Sequence, residues 1–128
     1  MAAVFLLALA LYASYARHGV LTQDEGWLLD GAMRVSAGQV PHRDFESICP
    51  AGRYYLAAAV LRASGGDAGA LRLGQAVLRA AVVALTFALG RRLMPWPYAL
   101  AAAGLALVAP GPWHKTLIPL VPLAGLLP

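Results

Sequence analysis

Apolar and polar positions are strongly segregated along this chain. Residues 1–16, 80–90, 93–113 and 116–128 carry no charge, whereas residues 22–53 are dense in polar groups. Crossing the hydrocarbon core of a bilayer takes roughly 20 mostly apolar helical residues. By that measure 93–113 is long enough, and 71–90 is long enough if Arg79 is tolerated within it. The pattern therefore predicts spans at 1–16, 71–90 and 93–113, with a further apolar segment at 116–128.

The polar island divides into three parts. Thr22 to Gly38 reads as a helix: Thr22 and Glu25 fit a capping box, and Gly38 supplies a stop. Leu28, Ala32 and Val35 share one face, and Asp30 and Arg34 form an i,i+4 pair on another. This amphipathic helix is expected to lie along the membrane interface. Gly38, Pro41, Pro50 and Gly52 mark the next stretch as a loop. Residues 53–64 are apolar but too short to cross comfortably, with Arg53 and Arg62 at the two ends. They read as a second interfacial or re-entrant helix, with Tyr54 and Tyr55 at headgroup level. Gly65-Gly66-Asp67 breaks the chain, and Asp67 reads as a loop residue.

Composition supports the membrane reading. Hydrophobic residues make up 60% of the chain, charged residues only 12%, and mean hydropathy is +0.66; soluble domains carry about 25% charged residues. The predicted fold class is all-α: a polytopic membrane protein with interfacial helices in its first extracytoplasmic loop, forming the N-terminal part (1–128) of one multi-span domain. The net charge of +4 does not point to nucleic acid, because the arginines are scattered and no basic cluster has interleaved aromatics. They fit span flanks and contacts to lipid phosphates. A single cysteine, Cys49, rules out an internal disulfide and a Cys-based metal site, and reads as inert. The three histidines show no ligand spacing. Trp27, Trp96 and Trp113 suit the interfacial belt.

Topology follows from charge. Arg91-Arg92, in a short turn before Pro95-Trp96-Pro97, marks a cytoplasmic end by the positive-inside rule. That places 17–70 outside, an extracytoplasmic loop of an integral membrane protein. The loop's own arginines (Arg34, Arg43, Arg53) argue mildly against it, and a true crossing at 53–64 would reverse it. Residues 1–16 fit a retained span better than a cleaved signal, for want of a basic segment before the apolar one; either puts the island outside. The chain stops inside an apolar run at Leu126-Leu127-Pro128, which reads as an N-terminal fragment of a larger protein.

Five of the six acids (Asp24, Glu25, Asp30, Asp44, Glu46) lie in the island. A positioned carboxylate can act as a general base, and the helix macrodipole keeps an N-terminal one ionised. The plainer reading is that Asp24 and Glu25 only cap their helix. Asp44 and Glu46 are candidates for binding acceptor, donor sugar or a metal, although two acids in a loop are more often simply solvated. Arg53, Arg79, His114 and Lys115 are candidate contacts to an anionic donor. An arginine inside an apolar span costs a few kcal/mol, which makes Arg79 informative unless it only snorkels to the interface; His114-Lys115 reads equally as an interfacial flank.

The ordered set Asp24-Glu25-Gly26, Gly38-Gln39-Val40-Pro41, Asp44-Phe45-Glu46 and Pro50-Ala51-Gly52-Arg53-Tyr54-Tyr55 resembles the N-terminus of the glycosyltransferase C superfamily. The likeness is to the branch of protein O-mannosyltransferases and bacterial lipid A aminoarabinose transferases. Leu71-Arg72-Leu73 and Gly90-Arg91-Arg92-Leu93 resemble that family's next span and its cytoplasmic end. The likeness covers residues 1–115, its single tripeptides are not specific, and Pro50-Ala51-Gly52 stands where many members have consecutive prolines. It implies an enzyme of the bacterial plasma membrane that moves a sugar from a polyprenyl phosphate to a glycan, lipid or protein acceptor at the outer face, with inversion. It also implies that Asp24 is the catalytic acid residue, with Glu25 beside it. No cofactor is implied with certainty, and a divalent metal remains open. The rival from another class is a transporter or flippase of lipid-linked saccharides, which would place ionisable residues near the bilayer midplane. An accessory membrane protein is a third reading.

Overall fold

The computed structural model describes residues 1–16, 22–47, 49–109 and 117–126, the side chains of 22–24, 117 and 118 excepted. The chain is all-α: α1 (Ala2–Tyr15), α2 (Thr22–Ser36), α3 (Ala51–Ala63), α4 (Ala68–Leu93), α5 (Trp96–Val108) and α6 (Leu117–Gly125). Among the described residues no β-strand forms, and the one isolated bridge joins Pro41 to Phe45. Two compact units are present, one of Met1–His18 with Gln75–Pro128, the other Gly19–Gly74.

In the Gly19–Gly74 unit, α2 packs on α3. Leu28, Ala32 and Val35, the predicted apolar face, are buried, as are Tyr54, Ala57, Ala58 and Leu61 of α3. The apolar face of α2 is thus used for helix packing. Tyr54 departs from expectation: it is 4% exposed and belongs to the core, while Tyr55 stays exposed. Gly31 explains why a ring fits there, since a Cβ on that residue would overlap the Tyr54 ring.

Both helices of this unit end in the same way. After α2, Gly38 has φ 90°, its N–H reaches the Val35 carbonyl at 3.0 Å, and Gln39 N–H reaches Arg34 at 3.0 Å. After α3, Gly65 has φ 69° and Gly66 N–H reaches the Leu61 carbonyl at 2.8 Å. These are left-handed glycine stops that satisfy terminal carbonyls. Asp67, expected to be a plain loop residue, caps α4 by accepting Gly69 N–H at 2.8 Å.

In the other unit, Ala8, Ala80, Val83 and Ala103 form the buried centre, flanked by Val4, Phe5, Leu9, Tyr12 and Phe87. The 26 residues of α4 give ~39 Å at 1.5 Å per residue, so this helix is long and apolar enough to cross a membrane. Only 28% of its most apolar stretch is buried by protein, unlike the core helix of a globular domain. It runs past both ends of the expected 71–90 span. Gly90 is helical and lies against α5, where a Cβ would sit 3.1 Å from that of Ala99. Arg91 and Arg92 fall in the last helical turn, not in a loop, where the macrodipole favours cations.

The expected 93–113 span is shorter in the structure. Pro95 precedes α5, Pro97 lies in its first turn, and Ala109 leaves the helical region at φ −125°. Ala109 precedes Pro110, and a residue before proline is pushed out of the α region. Like Ala2–Tyr15, Trp96–Val108 is apolar but shorter than a full crossing. Among the described residues α4 alone has membrane-spanning length and composition.

Candidate functional site

The predicted site residues fall mainly on α2, α3 and the loop between them. Tyr54 organises that loop from below. Its ring meets Phe45 edge-on at 5.8 Å between centroids, and its hydroxyl lies 2.9 Å from Ser47 Oγ. Ser47 in turn bonds both ends of Cys49, accepting its N–H at 3.1 Å and reaching its carbonyl at 2.9 Å. On the α2 side, Arg34 donates to Asp30 at 2.8 Å and lies 5.5 Å over the Phe45 ring. A tyrosine in the core of the helix pair thus fixes the position of an acidic loop.

Asp44 is built into the loop's own fold. It accepts the Val40 N–H at 2.7 Å and a two-pronged contact from Arg43 with both bonds at 2.8 Å. Asp44 N–H returns to the Val40 carbonyl at 2.9 Å, and His42 takes the left-handed conformation at φ 66°. The Arg43 hydrogen bonds, with the Val40 N–H, hold the Asp44 carboxyl at about 2; the same pairing raises Arg43. A carboxylate this acidic is a poor proton acceptor near neutrality, and its lone pairs are already engaged. Asp44, a candidate substrate contact from the sequence, is also a clamp for its own turn. Glu46, two residues on, is exposed and makes no hydrogen bond or ion pair among the described residues, which leaves its carboxylate presented outward.

The acid pair stands at the start of α2. Asp24 is the third residue of the helix, and its side chain lies outside the described residues. Glu25, assigned from sequence to a capping box, reaches Arg72 of α4: Arg72 Nη2 donates to Glu25 Oε2 at 3.0 Å. Sequence reasoning missed Arg72 as a partner. The available signal was its position as a cation at the head of an apolar run, downstream of an acid-rich segment. Arg53 donates through Nη1 to Cys49 Sγ at 2.9 Å, which leaves other guanidinium N–H groups beyond this contact.

Asp24, Glu25, Asp44, Glu46 and Arg53 belong to one unit. Arg79 belongs to the other, half-buried, with its guanidinium 5.7 Å over the Tyr12 ring. Tyr12 donates its hydroxyl proton to the Leu107 carbonyl at 2.8 Å, which satisfies an end group of α5. Arg79 Nε is buried without a hydrogen-bond partner among the described residues. His114 and Lys115 lie outside the described residues. Among the described residues no three His, Cys, Asp or Glu side chains converge on a place for a metal ion. No family model, curated protein or solved structure matches the chain.

Proposed function

We propose that the chain is the N-terminal part of a polytopic membrane glycosyltransferase, taking a sugar from a polyprenyl phosphate and passing it to an acceptor hydroxyl at the outer face. The observation that carries this reading is the acid pair in the first turn of α2, tied through Glu25 to α4, the helix of membrane-spanning length. The ordered resemblance of residues 24–55 to the glycosyltransferase C superfamily supports it.

The chemistry needs little from the protein beyond placement and charge. The Asp24 carboxylate takes the acceptor's hydroxyl proton. The acceptor oxygen forms a bond to the anomeric carbon from the face opposite the phosphate. The bond between that carbon and the phosphate oxygen breaks, and polyprenyl phosphate leaves with the electron pair. One displacement inverts the configuration. A positioned base contributes roughly 10²–10⁴-fold, and cations such as Arg53 stabilise the departing phosphate. Glu46, presented outward, suits an acceptor hydroxyl.

The test is Asp24→Asn in the full-length protein, in membranes supplied with radiolabelled mannose or arabinose on undecaprenyl phosphate. Transfer to envelope acceptors falls at least 100-fold while the amount of protein in the membrane is unchanged. Transfer at the normal rate removes Asp24 as the base. The transporter reading takes its support from Arg79, an arginine within the membrane-length helix. Donor-dependent flux of the intact lipid-linked sugar, without transfer, would favour it.

A further inference from the structure

We infer that Arg72 is a positioning residue for the acid pair: by holding Glu25 it fixes the first turn of α2, and so the place of Asp24. This rests on the reading of Asp24 as the base. Packing against α3 fixes α2 through Leu28, Ala32 and Val35, all of which follow the acid pair in sequence. In the first turn of α2 the Glu25–Arg72 bond joins residues 47 apart in sequence.

Two further observations give the pair mechanical weight. Its side chains are only 26% and 28% exposed, against 63% and 45% for the Asp30–Arg34 pair on the surface of α2. Partial burial weakens screening by water and salt, whereas exposed pairs contribute little. The arm is also short. Arg72 lies near the capped start of α4, with Asp67 closing the helix end five residues earlier, so the guanidinium is presented from a fixed backbone. A misplacement of about 1 Å at a reacting group can cost on the order of 100-fold in rate.

The experiment compares Arg72→Gln, Glu25→Gln, the double variant and Arg72→Lys in the full-length protein, assayed with the same undecaprenyl-phosphate mannose and arabinose donors. Each single glutamine variant is expected to lower kcat 10- to 100-fold with KM within twofold. The double variant is expected to lose no more than either single, because both break one interaction, and Arg72→Lys to recover most of the loss. Losses that multiply in the double variant, a change confined to KM, or unchanged kcat would each overturn the inference. Inactive Asp24→Asn beside fully active Arg72→Gln would sink the positioning role alone, whereas active Asp24→Asn would sink the base and the positioning role together. A second readout needs no substrate. In a Cys49→Ser background, labelling of Asp24→Cys by a membrane-impermeant maleimide should change at least fivefold on adding Arg72→Gln, while labelling of Glu46→Cys stays constant. Equal rates at position 24 with and without Arg72 would refute it.

Discussion

The two units of this protein solve the same packing problem by different means. The Gly19–Gly74 unit is held by directed interactions: an aromatic ring seated over a glycine, hydroxyls that bind loop backbone, glycine stops and a capping aspartate. The other unit is centred on Ala8, Ala80, Val83 and Ala103, where small side chains let helices approach closely. That economy suits a lipid surround, where apolar surface gains little from hiding and close contact of backbones does the work. Directed bonds are concentrated where a loop must keep one shape, and small residues where helices need only to lie close.

The largest expected effect tests the aromatic side of this contrast. Tyr54→Ala removes a buried ring and should cost about 3–5 kcal/mol, with the loop between α2 and α3 becoming rapidly cleaved by trypsin. Tyr54→Phe keeps the ring, loses only the Ser47 contact, and should cost about 1 kcal/mol. Equal losses for the two variants would mean that the hydroxyl, not the ring, organises the loop.

An intermediate effect tests the small-residue side. Gly90→Val drives a side chain into Ala99, whose Cβ and Cα lie 3.1 and 3.2 Å from the added carbon. Overpacking of this kind costs about 1–3 kcal/mol, read as a lower thermal midpoint in detergent. The trypsin sensitivity of the α2–α3 loop should stay unchanged. If cleavage there rises as well, the two units share their stability and the contrast fails.

The smallest effect concerns pH. The folded-state carboxyl of Asp44 is held at about 2, below its ordinary value near 3.9. The group therefore contributes stability that is present above pH ~4 and is lost as pH falls through about 2. Loop order, followed by the protection of the Val40 amide relative to the unstructured exchange rate at the same pH, should fade over that window and be independent of pH there in Asp44→Asn. A midpoint above pH 5 would break the assignment to Asp44.

Much of the fold was legible because it is local. The amphipathic face of α2, its Gly38 stop and the Asp30–Arg34 pair each depend on residues within one or two turns, and each appears in the structure. The contacts that escaped are those made at a distance. Tyr54 beside Tyr55 carries the pattern of an interfacial belt, and only the bare backbone at Gly31 reveals which ring is buried. Gly90 has the composition of a helix stop, but its role is close approach to Ala99 on the next helix. Glu25 fits a local cap as well as it fits Arg72, and no spacing rule joins residues 47 apart. Asp44 and Glu46 look alike in sequence; one is consumed by the bonds of its own turn, the other is left facing outward.

The segment from Val40 to Phe45 closes on itself. The Val40 amide and carbonyl both bond to Asp44, Arg43 grips the same carboxylate, and His42 N–H meets the Phe45 carbonyl at 3.0 Å. Its shape is therefore portable. A short cyclic peptide of these residues should retain the turn in solution, and related chains could vary the flanking helices without redrawing it. Glu46, just beyond its closure, is then presented from a backbone whose shape the turn itself maintains.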